Sequence, residues 1–89
     1  MDERTRETLV IAQEEAAEVI QEISKCFRFG LDTQHRDGIT HRAKLEQELG
    51  DFLAMVGLVV QQGVITEANM EQAAQHKMIK LRQYSSILK

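Results

Sequence analysis

The sequence predicts an all-α fold, with three to four antiparallel helices in a protomer that completes its bundle by oligomerisation. The 89 residues include no proline and many Glu, Gln, Ala, Leu and Lys residues, which favour helix. Apolar side chains recur at spacings of three and four residues, as on one face of a helix. A chain this short buries only about 60% of the surface that its unfolded form exposes. We therefore expect a single domain, residues 1–89, that needs further stabilisation.

The first predicted helix runs from about Glu3 to Phe29. Its apolar positions follow the three/four alternation of an amphipathic helix. They are Leu9, Ala12, Ala16, Val19, Ile20, Ile23 and Phe27. Gly30 is placed to end the helix, because glycine readily adopts the left-handed conformation found there.

A polar segment, residues 31–40, reads as a loop, and Thr40 is placed to cap a second helix that runs to about Gln62. From Phe52 to Val60 this helix is apolar almost all round. A helix of that kind is buried on every side, which the rest of so short a chain cannot provide. We therefore expect a partner chain, in a homodimer or homotetramer.

A third helix is predicted to begin after Thr66 and to run through Met78 and Leu81. Thr66 is the N-cap, and Ile65 can pack on Met70 across the first turn. The sequence leaves open whether this helix breaks near Ala73.

Composition excludes several classes of protein. A single cysteine, Cys26, rules out an internal disulfide and fits a reducing compartment. A formal net charge of −3 argues against electrostatic binding to nucleic acid or to an anionic membrane. The longest apolar run is shorter than the roughly 20 residues of a membrane span, and no signal-peptide pattern is present. We expect a cytoplasmic protein.

Two pairs of carboxylates, each spaced three residues apart, are the candidate metal ligands: Glu15 with Glu18, and Glu48 with Asp51. Residues three apart share one face of a helix, and Mg²⁺ or Mn²⁺ prefers such oxygen donors. The first pair lies roughly opposite the apolar stripe, together with Glu22, so a solvated surface is the alternative. The second pair continues into the apolar run, and there a metal site and a purely structural role are both open.

The three histidines, His35, His41 and His76, show no spacing of four residues that would indicate a helical zinc site. We expect them to be surface side chains, with His41 able to reach a phosphate.

Glu15-Ala16-Ala17-Glu18 and Glu48-Leu49-Gly50-Asp51 resemble the paired acidic motifs of the all-α nucleotide pyrophosphohydrolases, the MazG-like superfamily. This superfamily includes MazG, phosphoribosyl-ATP pyrophosphohydrolase and dimeric dUTPase-like enzymes. The resemblance implies that Glu15, Glu18, Glu48 and Asp51 bind magnesium. It also implies that a water molecule activated by the metal cleaves a nucleotide between its α- and β-phosphates.

The resemblance extends into the third helix, where Ala74-Gln75-His76-Lys77 stands in place of the superfamily's Ala-Asn-x-Lys segment. It implies substrate contacts by Gln75, Lys77 and Lys80. Gln75 departs from the usual asparagine, and the chain has no tryptophan to stack on a base.

These features together predict a magnesium-dependent enzyme that hydrolyses nucleoside triphosphates to monophosphates and pyrophosphate. Two alternatives remain open from the sequence. One is phosphoribosyl-ATP pyrophosphohydrolase activity, and the other is a non-catalytic helical dimer that binds nucleotide or a protein partner.

Overall fold

The computed structural model describes residues 1–88 and has three α-helices: α1 (Glu3–Phe29), α2 (His41–Gln61) and α3 (Glu67–Tyr84). The predicted all-α class is confirmed. The third helix is continuous through Ala73, which settles the question that the sequence left open. None of these helices is both long and apolar enough to span a membrane.

Each helix begins at a side-chain cap, and two of the three caps were predicted. The Thr40 hydroxyl accepts a hydrogen bond from the amide of Ala43, and Thr66 does the same for Asn69. Asp2 caps α1 by accepting from the amide of Thr5. Such caps satisfy amides that the first helical turn leaves without a partner.

α1 and α2 pack against each other as an antiparallel pair, and polar contacts define their register. Near the start of α1, Thr8 accepts a hydrogen bond of 3.0 Å from the Gln62 side chain, just after α2 ends. Near the end of α1, Glu22 meets His41, the first residue of α2. The midpoints of the two helices therefore lie side by side.

The loop between the helices is fixed by a network of hydrogen bonds. It leaves α1 at Gly30, whose φ of 95° suits glycine, and it returns through a turn in which the His35 amide donates to the Ile39 carbonyl. Arg42 holds Asp32 through two hydrogen bonds of 2.9 and 3.2 Å. These contacts give the loop a defined shape next to the helix pair.

The third helix lies apart from the helix pair. α3 has no buried residue, and its contacts with α1 and α2 are few. Among residues 1–88, Val59 is the one apolar side chain that is buried. Leu53 is 64% exposed although it belongs to the apolar part of α2. The apolar surfaces of a single protomer are therefore largely uncovered.

Candidate metal centre

Three of the four predicted metal ligands come together at the middle of the α1–α2 pair. Glu15 from α1 and Glu48 and Asp51 from α2 each place one carboxylate oxygen within 4.8 Å of the other two. Glu15 and Glu48 are half-buried, whereas Asp51 is exposed. The antiparallel register brings the two motifs together, because both lie near the midpoints of their helices.

Glu18, the fourth predicted ligand, lies beside this group and outside the set of three. Its charge is close enough to act on Glu48. The pKa of Glu48 lies above its usual range because burial disfavours its charged form, and because Glu18, Asp51, Glu15 and Glu22 repel that charge. The acids of both helices therefore share one electrostatic environment.

The donor set fits a hard divalent cation. Within residues 1–88, no Lys, Arg or His nitrogen lies within 4.0 Å of the carboxylates of the four predicted ligands. Like-charged carboxylates held this close destabilise one another unless a cation neutralises them. Carboxylate oxygens that leave room for water are the ligands that Mg²⁺ takes. The predicted residues thus supply the chemistry that a magnesium site needs.

The expectation that His41 is a surface side chain is wrong. His41 is 3% exposed, and its Nδ1–H donates a hydrogen bond of 2.8 Å to Oε1 of Glu22, which is 5% exposed. The Phe29 ring stacks on the imidazole at 5.5 Å between centroids. We call the two hydrogen-bonded residues, Glu22 and His41, the Glu22–His41 pair.

Sequence reasoning missed this pair because Glu22 occupies a polar sector of α1 that looks solvated. A signal was nevertheless present. Glu22 shares its helical face with Glu15 and Glu18, so an antiparallel helix that packs along those acids also lies near Glu22. In the structure, the residue of α2 that lies there is its first residue, His41, which hydrogen-bonds to Glu22.

The predicted substrate contacts of α3 are not brought to the acids within this protomer. Gln75, Lys77 and Lys80 are all exposed on a helix that makes little contact with the α1–α2 pair. Their role remains a prediction.

Two antiparallel helices that bring Glu15 together with Glu48 and Asp51 define an all-α protein with a candidate divalent-metal centre. The chain belongs to a family with this chemistry: the sequence model of the MazG nucleotide pyrophosphohydrolase domain matches residues 4–85. That match supports a general role as a nucleotide pyrophosphohydrolase. No curated protein and no solved structure matches the chain.

Proposed function

We propose that the protein is a magnesium-dependent nucleoside triphosphate pyrophosphohydrolase that releases a nucleoside monophosphate and pyrophosphate. One observation carries the proposal. Glu15, Glu48 and Asp51 gather their oxygens within 4.8 Å, at the acidic motifs of a chain that belongs to the MazG family. Mn²⁺ is a possible substitute, since it takes the same oxygen ligands.

The four acids divide the work of the site between the helices. The metal would lie in the groove between α1 and α2. It would be held by Glu15 and Glu18 from α1 and by Glu48 and Asp51 from α2. When bound, Mg²⁺ neutralises phosphate charge and lowers the pKa of coordinated water. One of the same carboxylates accepts a proton from the water that attacks the α-phosphorus, and the bond to the bridging oxygen of the β-phosphate breaks.

We further propose that the enzyme is a homodimer or homotetramer in which Gln75, Lys77 and Lys80 contact the substrate. Support comes from the exposure of α3 and of the apolar side chains of α2. An exposed apolar surface of this kind marks an interface. Covering it with a second copy brings further helices to the groove, and lysines on α3 then become available to phosphate oxygens.

The test is pyrophosphate release from the eight common nucleoside triphosphates and from phosphoribosyl-ATP, with and without Mg²⁺. We expect release from at least one triphosphate in the presence of Mg²⁺ and none when the metal is chelated. Glu48→Gln and Asp51→Asn should each lower kcat/KM by at least about 100-fold, because each removes a ligand charge.

Glu46→Gln is the matched control, because Glu46 is an exposed acid on the same helix outside the cluster. It should retain the activity of the unmodified protein. Release of pyrophosphate from phosphoribosyl-ATP alone would replace the proposed substrate class. A third outcome is that no substrate releases pyrophosphate, while a non-hydrolysable triphosphate still raises Tm in the presence of Mg²⁺. The proposal of an enzyme would then be replaced by that of a nucleotide-binding protein.

A further inference from the structure

A second concave site lies at the loop end of the helix pair, beyond the acids. It is a pocket of about 250 Å³, and α1, the loop and the start of α2 all contribute to it. We call it the loop pocket. We propose that the loop pocket binds the β- and γ-phosphates of the substrate, and hence the pyrophosphate product. The identity of this ligand rests on the proposed function, whereas the binding site itself does not.

The loop pocket continues the face that carries the acids. Lys25, which lines it, follows Glu18 by seven residues on α1, and His41, which also lines it, precedes Glu48 by seven residues on α2. Seven residues are two helical turns, so each lies about 10 Å from the acids on the same helical face. Because the helices are antiparallel, Lys25 on α1 and His41 on α2 both lie on the loop side of the acids. A triphosphate held by the acids can therefore extend its tail into the pocket.

The charge of the groove reverses between the two sites. Lys25 and Arg36 both line the loop pocket, and no carboxylate of residues 1–88 lies within 4.0 Å of either cationic group. The neighbouring basic residues are already engaged, since Arg42 pairs with Asp32 and Lys44 pairs with an aspartate of the loop. Two cations in one concave site, with no carboxylate of the described residues to neutralise them, suit an anionic ligand.

His35 also lines the pocket, and Asp37 holds its ring. Its Nδ1 is buried without a hydrogen-bond partner, and the nearest carboxylate oxygen, Asp37 Oδ1, is 3.6 Å away. That oxygen already accepts from the amide of Ile39, and the other oxygen of Asp37 lies 2.9 Å from Lys44 Nζ. Because Nδ1 is closed to solvent and faces Asp37, His35 contributes to the wall of the pocket, and the cationic groups of Lys25 and Arg36 supply the contacts for a ligand.

The aromatic rings of the pocket argue for phosphate over a nucleobase. The His41 ring stacks on the Phe29 ring, and the guanidinium carbon of Arg28 lies 4.9 Å from the centroid of the Phe29 ring. His35 meets His41 edge to face, with centroids 6.0 Å apart. The phenyl ring is thus engaged by two neighbours, which leaves charge pairing as the main source of affinity.

The experiment is a titration of the full chain with inorganic pyrophosphate in EDTA, followed by Tm and by the amide chemical shifts of residues 33–36. Without metal there is no turnover, so failure of the enzymatic proposal does not affect this result. We expect a saturable rise in Tm, with shifts centred on the loop. The double variant Lys25→Gln/Arg36→Gln should lose at least about tenfold in affinity, because it removes two charge-assisted contacts.

The single variants Lys25→Gln and Arg36→Gln keep the test valid if the double variant does not fold, and each should weaken binding. Arg82→Gln is the control, since Arg82 is an exposed arginine on α3. Arg82→Gln should bind pyrophosphate as the unmodified chain does. No saturable response, an equal response in the Lys25 and Arg36 variants, or shifts produced by nucleosides but not by pyrophosphate would overturn the assignment.

Discussion

At Glu48, burial and four neighbouring carboxylates act in the same direction and raise the pKa. A carboxyl group whose pKa is higher in the folded state than in the unfolded state favours folding while it is protonated. Its ionisation at neutral pH therefore destabilises the metal-free protein. Glu48→Gln should raise Tm at pH 7 in EDTA, and this gain should disappear as the pH falls to about 4, where unperturbed glutamates also protonate.

The measurement is a series of melting curves between pH 4 and 8, with and without Mg²⁺. Adding Mg²⁺ at pH 7 should stabilise the unmodified chain more than Glu48→Gln, because the cation relieves the same repulsion. Glu46→Gln serves as the control and should shift stability by no more than about 0.5 kcal/mol. An equal gain at all pH values would show that charge repulsion at Glu48 is not the cause.

The Glu22–His41 pair should contribute strongly to stability, because both side chains are nearly inaccessible to solvent. His41→Ala leaves the Glu22 carboxyl buried without a partner, which costs about 3 kcal/mol or more. Replacing both residues with leucine removes that penalty and should be less damaging than His41→Ala alone. Urea denaturation of the variants measures the difference, and additive effects of Glu22→Leu and His41→Leu would contradict a direct coupling.

On the scale of the helix, the two threonine caps allow the effect of losing a cap to be compared between a packed helix and a largely unpacked one. Thr40 caps α2, which packs on α1, whereas Thr66 caps α3, which has no buried residue. Thr40→Ala should lower the global free energy of unfolding by about 1 kcal/mol. Thr66→Ala should chiefly increase amide exchange along α3 at low protein concentration, since that helix opens locally.

Hydrogen exchange followed residue by residue checks this prediction. Equal effects of the two variants on the exchange of α1 would show that α3 unfolds together with the helix pair.

The helix bounds were predictable because local signals determine them. Thr40 and Thr66 cap helices as expected, and Gly30 ends α1, since each interaction involves residues a few positions apart. The face that α1 turns toward α2 was not predictable from periodicity. Ile20 is 68% exposed in this protomer while Glu22 is nearly buried. A hydrogen-bonded polar pair in a helix interface has the same sequence pattern as a solvated surface.

In the candidate site too, the local spacing was predictable from the sequence, whereas the contact between the helices was not. The i,i+3 spacing places Glu48 and Asp51 on one face, and the structure adds Glu15 from the other helix. Spacing within a helix does not determine which turns of two helices meet. That depends on the loop geometry and on contacts such as Thr8 with Gln62, which are 54 residues apart.

At the scale of the whole molecule, the protomer is extended for its length. Its radius of gyration is 15.9 Å, whereas a compact chain of this length has about 12 Å. Its accessible surface of 7036 Å² likewise exceeds the value of about 5,300 Å² for a folded monomer of this mass. Both differences agree with the proposed oligomer.

Sedimentation equilibrium should therefore find a dimer or tetramer. Leu53→Lys should weaken association, because it places a charge at a largely exposed apolar position of α2. Gln61→Lys adds the same charge at an exposed polar position of α2 and should leave the assembly intact. A folded monomer of the unmodified chain at micromolar concentration would contradict the oligomer proposal.

The separation of α3 from the helix pair has a consequence for folding kinetics. α1 and α2 are joined by a single loop, residues 30–40, so their pairing is a unimolecular step whose rate does not depend on protein concentration. α3 finds few partners in its own chain, and its ordering in the proposed oligomer is a bimolecular step. Refolding should then show a fast phase that is independent of concentration and a slower phase that accelerates as the protein becomes more concentrated.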